Sequence, residues 1–434
     1  MTRDLATAGL LGAATVVMAV TMPVAAQAPR SAAAPAAQAS SLTFSKDVAP
    51  IVYARCVSCH RPNEMAPMSL RTYQEVRPWA KAIRQRVVKR EMPPWFADPA
   101  HGDFANDARL PDTEVDTIAK WVDAGAPKGD DADLPPMPTF AEGWTIGEPD
   151  VVLSMPEHEV PAQGVIPYTY FTVPTEFTED HWIVGLEIRP GNRKVVHHVI
   201  VSVLEPGIEG PPQGATQARV DVIRSQLGGI TPNKPGVMFR EGTGRLVKAG
   251  SKLVFQMHYT PIGEAVKDRT TLGLKFAKKG PLVPLRTAMA INPKFVIPPG
   301  DPAHEVRATA TVTEDVHLHT LTPHMHFRGK DFTYTAIYPD GRSEVLLRVP
   351  NYDFNWQLSY ALTAPLALPK GTVIDCVAHF DNSSRNPANP DPKAEVRWGD
   401  QTFEEMMIGF YTYTRDADQA TTTAGARQAI QEER

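Results

Sequence analysis

Prolines and glycines interrupt this chain so often that long regular elements have little room: 41 Pro and 29 Gly are spread through 434 residues. Proline lacks a backbone N–H and fixes φ, and glycine favours turns, so the pattern predicts many short strands rather than long helices. Segments 195–203, 253–259, 331–338 and 371–380 fit, with β-branched and aromatic residues between Pro/Gly turns, as in antiparallel sandwiches. With 42% hydrophobic and 21% charged residues the chain is neither fibrous nor disordered. Its length suits two or three domains of roughly 150 residues each. Lys+Arg 44 against Asp+Glu 49 leaves a net charge of −5, without the basic excess of a nucleic-acid binder. Three cysteines exclude a disulfide scaffold.

The N-terminus reads as an address. Arg3 precedes an uncharged stretch from Leu5 to Pro29, apolar around Leu10 to Val24 and ending in Val24-Ala25-Ala26-Gln27-Ala28. A basic start, an apolar centre and small exit residues predict a secretory signal peptide over 1–28, cleaved after Ala26 or Ala28. The alternative is an uncleaved membrane anchor, since about 20 apolar residues span a bilayer. Residues 29–42, rich in Ala, Ser, Pro and Gln, predict a flexible leader. The expected location is periplasmic or secreted.

Cys56-Val57-Ser58-Cys59-His60 is the c-type haem attachment pattern. Two thiols form thioethers with the porphyrin vinyl groups, and the next residue places an imidazole under the iron. The competing readings are a redox dithiol or half of a zinc site. Ser45 can cap a helix carrying Val48, Ile51 and Val52, and Val115, Ile118, Ala119 and Val122 predict a second helix stopped by Gly125. This order over 43–130 resembles a small class I cytochrome c. For the sixth iron ligand Met65 and Met68 lie too close to His60 to reach the opposite haem face. Met92, in Glu91-Met92-Pro93-Pro94-Trp95 and 32 residues past His60, is the candidate, with His101 behind it. A polar, proline-stiffened linker follows at 131–144.

Beyond it, histidines carry the signal. His197-His198, His258 in Phe255-Gln256-Met257-His258-Tyr259, and His324-Met325-His326 stand out among 13 His. On a strand His-x-His places both imidazoles on one face, whereas adjacent histidines face opposite ways unless the strand bends. Imidazole with thioether suits copper. A lone histidine on such a strand is more often a hydrogen-bonded core residue, and His317-x-His319 shows that pairs alone do not define a site.

The set His197-His198, Gln256-Met257-His258-Tyr259, His324-x-His326-x-x-Gly329-Lys330 and Glu404-Glu405-Met406 resembles the type II copper, ascorbate-dependent monooxygenases. That family includes peptidylglycine α-hydroxylating monooxygenase and dopamine β-hydroxylase. The resemblance covers roughly residues 145–415, with 60 residues from His198 to His258, 66 to His324 and 80 from His326 to Met406. It implies an electron-supplying copper at His197, His198 and His258, and an oxygen-binding copper at His324, His326 and Met406, where C–H hydroxylation occurs. It selects His324/His326 over His317/His319, because Gly-Lys follows only the former, and Met406 over Met407. It also implies two sandwich domains facing across an open cleft. Cys376 is alone in this region, where the animal enzymes are disulfide-stapled, and is expected to pack as a small apolar residue. Met325 is expected to pack locally. Phe410 stands where the peptide hydroxylase has tyrosine, which weakens transfer of a peptide substrate.

The expected fold class is therefore multi-domain: a small all-α cytochrome c domain (43–130), then two all-β, jelly-roll-like copper sandwiches (145–285 and 286–415) and a polar, dispensable tail (416–434). The expected function is hydroxylation of a small organic or peptide-like substrate with O2, using two coppers and one covalent haem. Electrons would come from a periplasmic donor, or an ascorbate-like reductant, and pass through the haem to His197/His198/His258. The alternatives are a non-catalytic haem/copper electron-transfer or copper-binding protein, and a zinc hydrolase, to which a methionine ligand is poorly suited.

Overall fold

The computed structural model describes residues 42–62, 64, 66–140, 143–208, 225–230, 236–280 and 282–419. The expected signal peptide, the leader up to residue 41, Met65 and the tail beyond 419 lie outside the described residues. Among the described residues no helix is long and apolar enough to cross a membrane.

Among the described residues the helices lie in the N-terminal part, apart from one turn at 416–419. Thr43 caps a helical turn, Phe44–Val48, by accepting from the Lys46 N–H; the expected cap, Ser45, is instead buried inside that turn. The turn runs into α1 (Ala49–Arg55). A Thr72/Glu75 capping box opens α2 (Tyr73–Val76), followed by α3 (Ala80–Val88) and α4 (Asp112–Asp123). Val115, Ile118 and Trp121 of α4 pack with Phe44, Val48, Val52 and Leu70 in a small apolar cluster. Gly125, at φ 90°, ends α4 in the left-handed conformation that glycine adopts without strain.

The rest is strand, in four larger sheets with a propeller-like arrangement. The first has six strands, with His181–Arg189 at its centre. The second runs Thr169–Pro174, Lys252–Tyr259, Val196–Leu204, Gln226–Ile230; the third Arg286–Ile291, Ile408–Arg415, Val316–His324, Tyr360–Leu368; the fourth His304–Thr311, Val373–Phe380, Gly329–Ile337, Ser343–Val349. Alternation does the packing: along Val373–Phe380 every second residue, Ile374, Cys376, Ala378 and Phe380, is buried. One apolar cluster draws on the first and second sheets (Ile183, Leu186, Val199, Phe255, Leu272), another on the third and fourth (Leu318, Leu321, Tyr334, Leu347, Phe380). Each large side chain so buried contributes about 1.5–3 kcal/mol. Cys376 is fully buried beside Gly409, where any Cβ would collide with its sulfur.

The expected fold class does not hold. The chain is 38% strand and 13% helix; among the described residues the longest helix has 12 residues and no clear all-α domain is present. The described residues from Leu42 onward form one compact unit. The reason lies after α3. Pro93 and Pro94 cannot donate to a helix, and the chain beyond them runs to the strands instead. Trp95, Ala97 and Phe104 are buried in the cluster of the third and fourth sheets. The Asp98 N–H donates to the Arg348 carbonyl (2.8 Å) and the Ala105 N–H to the Ala361 carbonyl (2.8 Å). At the other end, Asp416 contacts His317, and Asp418 pairs with Arg286 and Arg415, so the first residues of the expected tail are fastened to the third sheet.

Candidate metal centres and the haem-attachment motif

His198 and His258 are opposite one another on the two central strands of the second sheet. Both are buried, at 6% and 7% exposure. Adjacent His197 would point to the other face, but the pairing register shifts between Val196 and His198, and this irregularity turns both imidazoles to one side. The three rings offer ligand atoms all within 4.8 Å of one another. The Nδ1 atoms converge, His197 to His198 at 3.3 Å and His258 to His198 at 3.4 Å. Burial drives the three pKa values down, His258 to about 4 and His198 well below its ordinary value, with repulsion from the neighbouring histidines adding to the burial. Three neutral imidazoles with lone pairs directed at one point suit a borderline or soft divalent metal. Tyr168 lies edge-on to His198 and His258, ring centroids 5.6 and 5.0 Å away.

The second group forms where Val316–His324 leaves the third sheet. The rings of His324 and His326 stand 5.3 Å apart and perpendicular. His324 Nδ1 meets Gln357 Oε1 at 2.7 Å and His326 Nδ1 meets the Glu404 carbonyl at 3.2 Å. Both oxygens only accept, so each Nδ1 carries the proton and each Nε2 is left unprotonated, with its lone pair free. Nε2 of His326 is buried without a hydrogen-bond partner. Burial lowers His324 to about 4 and His326 to about 3. An orphaned, neutral, buried imidazole nitrogen fits a metal ligand.

Met406 belongs to the segment that holds this group. Glu405, fully buried, accepts from the backbone N–H of His326 (2.7 Å) and of Arg328 (2.6 Å). Burial pushes its carboxyl up to about 8, against the pull of these donors and of Arg328. Ile408, two residues past Met406, stands opposite His324 in the strand register. Met407 is buried in the apolar core, whereas Met406 is only partly buried. Met325 is also core. His317 and His319 are engaged elsewhere, with Asp416 (2.8 Å) and Thr414 (3.0 Å).

Phe354 stacks on His197 (5.0 Å, 11°) and stands edge-on to His326 (5.8 Å, 83°), so one buried phenyl ring lies between them. The 352–357 loop organises both sides: the Tyr352 hydroxyl bonds the Met325 backbone (2.8 Å), Phe354 fills the gap, and Gln357 fixes His324. Gln357, Phe354 and Tyr168 were not among the candidates read from the sequence, since none belongs to a spaced motif.

In the N-terminal part Cys56 to His60 forms one helical turn after α1, with the His60 N–H on the Cys56 carbonyl (2.9 Å). Both cysteines are free thiols, Cys56 partly buried and Cys59 exposed. Burial pushes the Cys56 thiol up to about 12, the reverse of what a reactive dithiol needs. His60 Nδ1 is 3.2 Å from the Met68 carbonyl, which fixes the proton there and leaves Nε2 available. These features fit thioether attachment with an axial imidazole. Met68 is thus tied to His60's own side, while Met92 is half-buried just before the segment that joins the third sheet. His101 lies on that segment.

No protein-family model matches the chain, and no curated protein matches it. Solved structures that align with it include the T=1 Penaeus vannamei nodavirus, at 10% identity and TM-score 0.20 over 62% of this chain and 98% of that one. The major capsid protein P2 of bacteriophage PM2 aligns at 8% identity and TM-score 0.29, over 61% of this chain and 97% of that one. At such scores neither likeness bears on fold or function.

Proposed function

We propose that the chain is an exported copper-dependent monooxygenase that hydroxylates a C–H bond of an organic substrate, with electrons supplied through a covalently attached c-type haem. The observation that carries this reading is the meeting of two histidine groups with opposite nitrogens on offer, Nδ1 from His197, His198 and His258 and Nε2 from His324 and His326, one ring apart. His197, His198 and His258 would hold one copper, and His324, His326 and Met406 the other. When bound, such copper supplies O2 activation and one-electron storage, for O2 + R–H + 2e⁻ + 2H⁺ → R–OH + H2O.

The chain's own residues prepare the site. Gln357 and the Glu404 carbonyl set the tautomer of the second pair, as metal-binding histidines generally require. Glu405 holds the His326–Arg328 turn in place, and Phe354 and Tyr168 keep water from the ring nitrogens. Cys56 and Cys59 would carry the haem, with His60 and Met92 as axial ligands. Haem attachment outside the cytoplasm agrees with a signal peptide over 1–28, hence a periplasmic location and donor.

The test is oxygen uptake under 18O2 by copper- and haem-loaded protein, across a panel of small organic and peptide-like compounds. Labelled hydroxyl product that disappears in His326→Ala supports the reading. In Cys59→Ser, turnover driven by a haem-reducing donor should be lost while ascorbate-driven turnover persists. Copper and haem without labelled product from any compound would favour a non-catalytic electron carrier.

A further inference from the structure

The segment after Met92 joins one histidine group and not the other. It is laced to the edge strand of the third sheet: Thr363 N–H donates to the Asp103 carbonyl (3.0 Å), Asn106 Nδ2 to the Ser359 carbonyl (2.8 Å), and Ala361 N–H back to Asn106 Oδ1 (2.9 Å). At this joint Trp95 packs on Tyr360 with ring centroids 4.9 Å apart, and Phe104 stands 5.9 and 5.6 Å from the two rings. Trp95 and Tyr360 are both buried. Tyr360 pairs with Leu321 on Val316–His324. Three residues before it, Gln357 accepts from His324 Nδ1 at 2.7 Å. Three residues of chain span at most about 10 Å, which bounds both the step from Met92 to Trp95 and the step from Gln357 to Tyr360. Toward the first group, by contrast, the haem-motif loop reaches Arg193 through Glu64 in a solvent-facing ion pair at 3.7 Å.

We propose that Trp95, Tyr360 and Gln357 form the path by which an electron from haem at His60 and Met92 reaches a metal at His324/His326, so that the haem segment serves the second histidine group directly. This rests on the haem and copper reading above. Closely packed rings and a short hydrogen bond couple donor and acceptor better than a solvated gap does. The step moves one electron and no proton: the iron goes from ferrous to ferric, one copper goes from cupric to cuprous, and no bond is made or broken. Trp95 and Tyr360 act as the medium and are not themselves oxidised.

The experiment is a light pulse with a one-electron photoreductant on anaerobic, haem- and copper-loaded full-length protein. The return of the ferric haem spectrum and the loss of the cupric electron-paramagnetic signal are followed without substrate. Trp95→Leu is expected to slow haem re-oxidation at least tenfold at unchanged haem and copper content, with the rate restored in Trp95→Phe. Should Trp95→Leu lose its haem, Tyr360→Leu interrupts the same path one ring further on, read at unchanged haem and copper content. The re-oxidation phase should vanish in the double variant His324→Ala/His326→Ala and persist in His198→Ala. An unchanged rate in Trp95→Leu would overturn the proposal. So would a phase that survives the double variant and is lost in His198→Ala, which would place delivery at the first group. Wild-type protein without iron or copper would instead overturn the functional reading itself.

Discussion

Each ring of the second histidine group has its two nitrogens assigned to different tasks. His324 and His326 commit Nδ1 to an oxygen acceptor and leave Nε2 uncommitted, and in His326 that atom is buried with no other partner. Gln357 is therefore a positioning residue. Gln357→Leu should weaken copper at this group by about 10- to 100-fold, the usual effect of removing such a partner, while leaving the first group's affinity in place. Competition with a copper chelator measures both. A pH effect belongs to His319, outside both groups. Burial, with repulsion from Arg240 and His317, holds its pKa at about 4 against an ordinary 6.5. Between those values the unfolded chain binds the proton and the folded one does not, so stability falls as pH drops from about 6.5 toward 4. In metal-free protein the urea midpoint should fall less between pH 7 and 4.5 in His319→Asn than in wild type; equal slopes would contradict this. At this scale the haem motif and the histidines were legible because their chemistry is local in sequence. Gln357, Phe354 and Tyr168 were not, because each acts through a contact made only on folding.

Elements decide which side chains meet. Adjacent His197 and His198 would diverge on a regular strand, and the register shift at Val196/His198 brings them together; nothing in Lys194-Val195-Val196-His197-His198 announces that irregularity. The 399–406 segment closes around His326, with the Glu404 carboxyl packed against Gly399, where a Cβ would force it to move. Glu405 joins it to the 326–328 turn through two backbone N–H groups. Glu405→Ala leaves both donors buried without an acceptor, at about 1–3 kcal/mol each, and should lower the midpoint of denaturant unfolding accordingly. Trp95 is the corresponding anchor for the N-terminal part. Trp95→Ala should cost about 3–5 kcal/mol through the cavity left beside Phe104 and Tyr360, and should open residues 92–110 to limited proteolysis ahead of the strands. The helical periodicity of α4 could be read from the sequence, but the destination of 95–106 could not. Its partners Arg348, Ser359 and Ala361 lie more than two hundred residues away, and local patterning carries no record of them.

Over the whole molecule, proline and glycine spacing correctly indicated short strands in sheets, and it was the separate all-α domain that failed. The helices share one compact unit with the strands because a Pro-Pro step sends the chain from one to the other. That same step brings residues 95–106 to the third sheet, where Trp95 packs on Tyr360. The central claim is that one chain holds one haem and two coppers, and metal content tests it most directly. Protein exported by a host that attaches c-type haem, offered copper and zinc together and then dialysed, should retain two coppers and one iron per chain, falling to one copper in His258→Ala and in His326→Ala. Iron without copper, or zinc retained in preference to copper, would contradict the account.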